Sequence, residues 1–264
     1  MRTPDAILKE LGSDNIDLSP ELLADAANDE TVIAKLVTLC DRAGEKPRSI
    51  TAYEANLVRW APYLFAEVGC PTLVRPLVGI FSLKERLADH LLSGYSAYDA
   101  PSIFLRLAGP DVTKSFLAVQ RSKDAAPELR IAPILASGAG WAHGIIERAA
   151  ALEPLRAEIV RLTKPEIAET ESQGWLDTVI DAALDLHPGE LQDELNALAK
   201  TWGLDAEWDE ELKEAVADTV QNARLRFREE YPRFDKAVEF VERWEALDAE
   251  IDEAAGEEDD EEER

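Results

Sequence analysis

The side chains best suited to chemistry in this 264-residue chain are few and far apart. His90, His143 and His187 lie in separate segments, with no HExxH and no second ligand four residues from any of them. The spacing that would set two imidazoles over a zinc ion on one helical face is therefore missing. Each histidine reads as structural. His90 falls where a similar stretch later in the chain has Ile134, which points to a core or inter-helix position. Cys40 and Cys70 are the only cysteines, both in apolar segments and at no metal-ligand or CxxC spacing, so they read as buried, reduced thiols. The richest short stretch is "ASGAGWAHG" at 136–144. Its glycines suggest a phosphate-cradling loop, but no strand signal precedes it, and neither GxGxxG nor a following Lys-Ser/Thr completes the pattern. It reads instead as a flexible turn between helices. Trp141 within it is a candidate partner contact, because tryptophan is enriched at the energetic centres of interfaces. Carboxylates are so abundant that pairs at hydrolase spacing arise by chance, and GxSxG is absent. No catalytic, cofactor-binding or metal-ligating residue is assigned.

The charge is large and uneven. The chain carries 28 Lys and Arg against 54 Asp and Glu, a net −26. Residues 1–100 contribute −5, residues 101–164 contribute +3, and residues 165–264 contribute −24. Overall acidity opposes nonspecific binding to nucleic acid or anionic membranes. The mildly basic middle holds Arg106, Arg121, Arg130 and Arg148 at intervals that would place several on one face of stacked helices. The run from Asp252 to Arg264, "DEAAGEEDDEEER", has no apolar content to offset the entropy of ordering and is expected to be disordered. It reads as a solubilising tail, a binder of a basic partner, or a cover for the basic middle.

These residues must be positioned by helices. "LSPELLADAAND" offers Ser19 as an N-cap followed by Pro20. "ETVIAKLVTLCDRAG" spaces Val32, Leu36 and Leu39 for one helical face and stops at Gly44. "TAYEANLVRWAPYLFAEVG" starts with the capping-box pair Thr51 and Glu54 and ends at Gly69. Shorter helices follow, punctuated by Pro71, Gly94, Gly109, Pro127 and Gly138. After residue 165, two helices break at His187-Pro188-Gly189, and a long pair divides near Pro232. Trp208, Leu212, Val216 and Val220 form one apolar stripe; Phe234, Val238, Val241 and Leu247 form another. No window shows period-two alternation, so no sheet is expected.

Two stretches are similar: "RLADHLLSG" ends at Gly94 and "RIAPILASG" at Gly138, 44 residues apart. Upstream, "FAEVGCP" and "LRLAGPD" superpose Gly69 on Gly109 at an offset of 40. A period of 40–44 residues built from paired helices is the signature of stacked helical repeats. On these stretches the chain resembles the HEAT and armadillo-like α-solenoid family, clearly over residues 50–140 and loosely over 18–165. The family's usual arginine-to-alanine spacing is not reproduced.

The expected fold is all-α: a short right-handed α-solenoid of helical hairpins over residues 1–165, an acidic helical extension over 166–251, and a disordered acidic tail over 252–264. Solenoids present extended faces, so the resemblance implies a non-catalytic protein–protein interaction scaffold or adaptor. Its partner is a protein of unknown identity, and Arg106, Arg121, Arg130, Trp141 and Arg148 are the candidate contacts. The competing reading is nucleic-acid binding along a basic face in 101–164, modulated by the tail. A third is an enzyme with an unrecognised site. No cofactor and no membrane partner are expected. The N-terminus lacks a secretory layout, and no apolar run reaches the roughly 20 residues of a membrane span, so the expected location is cytoplasmic.

Overall fold

The computed structural model describes residues 2–13, 19–92, 96–204, 206–244 and 246. The expected tail over 252–264, and with it Gly94 and Leu247, lies outside the described residues. Among the described residues every regular element is helical.

Short polar side chains start most of the longer helices at the N-terminal end. Thr3 and Ser19 accept from the first turns of α1 (Pro4–Leu11) and α2 (Pro20–Ala27), and Asp29 does so for α3 (Glu30–Glu45). At α4 (Ala52–Val68) Thr51 and Glu54 complete the capping box expected from the sequence. Each such cap contributes about 1 kcal/mol by satisfying donors that the helix itself cannot. The chain continues through α5 (Val74–Phe81), α6 (Glu85–Leu91), α7 (Ser96–Ala108), α8 (Val112–Ser115), α9 (Leu117–Arg121), α10 (Pro127–Ala142) and α11 (Arg148–Leu162). Then come α12 (Pro165–Ala168), α13 (Gln173–Asp185), α14 (Gln192–Trp202), α15 (Ala206–Ala217), α16 (Val220–Glu230) and a last helix, α17, over 237–244.

Helix contacts step along the chain in two series, a first row and a second row that is broken between α9 and α11. In the first, α4 lies against α7, α7 against α10, and α10 against α13. In the second, α3 lies against α5, α5 against α9, and α11 against α14. Polar links repeat the same step: Arg106 to Ala66 O, Ser122 to Ser82 O, Gln120 to Glu158 and Trp202 to Leu162 O span 38 to 40 residues. One continuous apolar core runs from Ile7 to Trp244, without a break at residue 165.

The strongest periodic feature is the end of each first-row helix. Gly69, Gly109, Gly144 and His187 follow α4, α7, α10 and α13, and their φ angles are 67°, 53°, 74° and 65°. The intervals between them are 40, 35 and 43 residues. Glycine adopts this left-handed turn without a Cβ clash, so three of the four positions explain themselves. Proline and a 3-10 turn follow at Pro71–Leu73, Gly109–Asp111 and Pro188–Leu191.

Several expectations need correction. "ASGAGWAHG" is not a turn: residues 136–142 form the last part of α10, and Gly138 lies inside that helix rather than capping it. A Cβ on Gly138 would stand 2.6 Å from Leu186 and 2.7 Å from Phe227, so this glycine is there for close helix packing. Gly44 likewise lies within α3, with its Cβ position 3.1 Å from the Gly79 backbone. His90 is exposed at the end of α6, not in the core. The helical pair from Trp208 has a further break at Asp218-Thr219, where Thr219 caps α16, and Val220 is exposed.

Candidate interaction site

After α14 the chain reverses over the first row. α16 packs on α10, where Gly138 leaves room for the ring of Phe227. Arg224 donates to Ala142 O at the end of α10, and the His143 Nε2 atom lies 2.8 Å from Tyr231 O. His187 holds Asp218 O in the same way at 3.1 Å. Two of the three histidines therefore bind the returning backbone. Residues 231–236 are non-helical, and α17 then lies over α4 and α7.

The seam between α17 and the first row is built around a buried polar contact. Asp99, on α7, is fully buried. Its carboxylate accepts from the Tyr63 hydroxyl at 3.1 Å, from the Trp244 indole at 2.8 Å, and from the Arg243 guanidinium. Burial pushes this carboxyl up to about 6, against the opposing pull of Arg243 and the two neutral donors. Glu67, near the end of α4, accepts from the Ala237 backbone N–H at 3.0 Å and so caps α17 from 170 residues away. Aromatic rings fill the remainder. Trp244 meets Tyr63 edge-on at 4.8 Å and lies 5.9 Å from Trp60, while Phe240 stacks on Phe234 at 4.6 Å. The Nε atom of Arg243 is buried without a hydrogen-bond partner among the described residues, so the seam is not fully satisfied.

The five residues singled out in the sequence do not converge. Trp141 is buried, with the Arg148 guanidinium 4.5 Å and that of Arg224 6.0 Å from its ring centroid. Arg148 is paired with Glu190 and donates to Leu186 O and His187 O at the end of α13. Arg130 is buried, stacks 3.9 Å over Trp175, and pairs with Glu171. Arg106 is exposed but donates to Ala66 O at the end of α4. Arg121 is exposed on α9. Arg106, Arg148 and Arg224 thus act alike, since each places a cation on the carbonyl end of a neighbouring first-row helix, where the helix dipole favours it.

Asp99, Glu67, Tyr63, Arg243 and Trp244 were missed by sequence reasoning. One signal was available: Asp99 is the lone acid between Asp89 and Asp111, set in the apolar stretch "AYDAPSIFL". Among the described residues, no group of His, Cys, Asp and Glu is placed to hold a metal ion. Cys40 is buried, as expected, whereas Cys70 is only partly so, its Sγ lying 3.0 Å from the Thr72 hydroxyl. No described helix is long and apolar enough to cross a membrane. Comparison of the chain with protein-family models, curated proteins and solved structures finds no match.

Proposed function

We propose that this chain is a non-catalytic interaction module, a short helical-repeat adaptor of the α-solenoid kind, whose first-row face takes up a segment of a partner protein. The observation that carries the reading is the arm over residues 231–244. It lies on α4 and α7 as a peptide ligand would, with aromatic anchors, a half-buried arginine paired with a fully buried carboxylate, and backbone capture by Glu67. Buried aromatic and arginine anchors of this type concentrate binding energy in protein interfaces. The recurring left-handed junction and the two-row packing support the repeat reading. In this view the arm is the resident occupant of the face, and a partner displaces it.

The nucleic-acid reading loses support because its cations are committed. Arg130, Arg148, Arg156 and Arg161 pair with Glu171, Glu190, Glu194 and Glu158. A phosphate backbone needs a surplus of unpaired positive charge, and these pairs take four of the six arginines of that middle segment.

The test uses Trp244→Ala in the full chain, with a labelled peptide of residues 231–244 added in trans. The variant, its own arm loosened, should bind the peptide measurably, and the wild type should bind about tenfold more weakly because the face is occupied. A folded variant that ignores the peptide would sink the proposal.

A further inference from the structure

A second surface, distinct from the arm seam, lies where the end of α16 passes the start of α10. It is a cleft of about 570 Å³ bounded by α6, α7, α10, α13 and the Glu230-Tyr231 corner. Its floor is apolar: Leu92 and Leu129 are buried there, Leu135 is half-buried, and Tyr231 closes one wall. Its rim is acidic: Glu85 and Asp89 come from α6, Glu128 from α10 and Glu230 from α16, all four exposed. Among the described residues, no lysine or arginine lines it. Tyr98 stands at its edge 73% exposed, an unusual position for a large aromatic ring.

The carboxylates also crowd one another beyond the rim. Asp185 keeps a solvent-facing surface, yet enough protein surrounds it that desolvation, and then Glu230 and Asp181, push its carboxyl up to about 6, with Arg226 opposing. Like charges held this close repel until a cation joins them.

We propose that this cleft seats a short basic, apolar segment of a partner protein: one large hydrophobic side chain enters between Leu92, Leu129 and Leu135 while flanking lysines or arginines meet Glu85, Asp89, Glu128 and Glu230. Charge complementarity selects this occupant. The rim carboxylates come from three separate helices, so their cationic counterparts must be spread along a segment. The apolar floor needs an anchor that a simple cation lacks. Tyr231, the first residue of the arm, is the one arm residue that lines the cleft, and the leucines and all four rim carboxylates lie outside residues 231–244, so the inference goes beyond the arm reading and does not rest on it.

The experiment is fluorescence anisotropy on the full chain with a labelled amphipathic lysine–leucine peptide, and with its glutamate–leucine counterpart as the negative probe. Three proteins are compared. In the first, Glu85, Asp89 and Glu128 are changed to lysine. In the second, the same number of exposed acids away from the cleft, Glu45, Glu166 and Glu211, are changed to lysine. The third is wild type. The basic peptide should bind wild type and the second protein alike and should bind the first about tenfold more weakly, with an affinity that falls as salt rises. Leu135→Gln should weaken binding with all carboxylates intact, separating anchor from charge. Equal losses in the two charge-reversed proteins would reduce the effect to diffuse attraction toward an acidic surface and overturn the proposal. Absence of binding by wild type would also overturn it. Neither result would alter capture of the arm peptide in trans, so the two readings fail independently.

Discussion

His187 stands where the three preceding junctions have glycine, and its side chain is held at a φ of 65°. A non-glycine residue there stores about 1–3 kcal/mol of backbone strain, offset in part by the hydrogen bond to Asp218 O. His187→Gly should therefore be neutral or raise stability by about 1 kcal/mol, whereas Gly144→Ala should lower it by a similar amount; urea unfolding of both variants checks the pair. Asp185 supplies a second prediction. Its carboxyl is raised from 3.8 to about 6 on folding, so the folded state favours the protonated form. The associated stability is present below 3.8 and is lost as pH rises through 6. Asp185→Asn should raise the melting temperature at about pH 7.5, and the gain should vanish by about pH 4. A gain that persists in acid would assign the effect to packing instead.

At the scale of elements, α10 is the hub. It touches α7 and α13 within its row, α9 and α11 behind, and α16 above, and all but three of its 16 residues are buried. Small residues at Gly138 and Gly140 allow that crowding, and their Cβ positions are already occupied by neighbouring side chains. Gly138→Val should cost about 1–3 kcal/mol by overpacking and should loosen α16 in particular, so hydrogen exchange should accelerate in α16 before it does in α3 or α4. The buried acids at the other end of α10 tie elements together. Glu171 accepts from both Arg130 and Arg161, whose cations together with their hydrogen bonds hold its carboxyl below the usual range despite burial. Glu171→Gln leaves the buried Arg130 guanidinium without its carboxylate, while Arg161 keeps Glu158, and should cost about 3 kcal/mol, seen as an earlier urea midpoint. The helices themselves were legible, because caps at Ser19 and Thr51 and the stop at Gly69 are local signals. The hub was not. Ser and Gly in "ASGAG" favour turns by composition, and that stretch is helical because neighbouring helices pack closely against it.

For the whole molecule, the net charge of −26 sets the energetics. Most of the arginines in the middle are already paired with acids from residues 158–194, so the remaining excess of carboxylates repels itself. Salt shortens the range of that repulsion to about 10 Å at 0.1 M. The urea midpoint should therefore rise between roughly 0.02 M and about 0.5 M sodium chloride. A fall would mean that the internal ion pairs outweigh the repulsion. The return of the C-terminal arm across the first row is a feature of this scale alone. Asp99 and Arg243 are 144 residues apart, and no local pattern links them.

The sequence by itself determined the helical class, the helix starts at Ser19 and Thr51, the chain breaks at Gly69 and Gly109, and the concentration of acid after residue 165. These depend on neighbours within a few residues, where hydrogen bonding and side-chain spacing decide the outcome. Only the tertiary structure decided which arginines are spent on helix ends, why Gly138 is a packing residue rather than a cap, and where Asp99 finds its cation. Those outcomes depend on which surfaces meet, and contact between residues a hundred or more positions apart leaves no period in the chain to read.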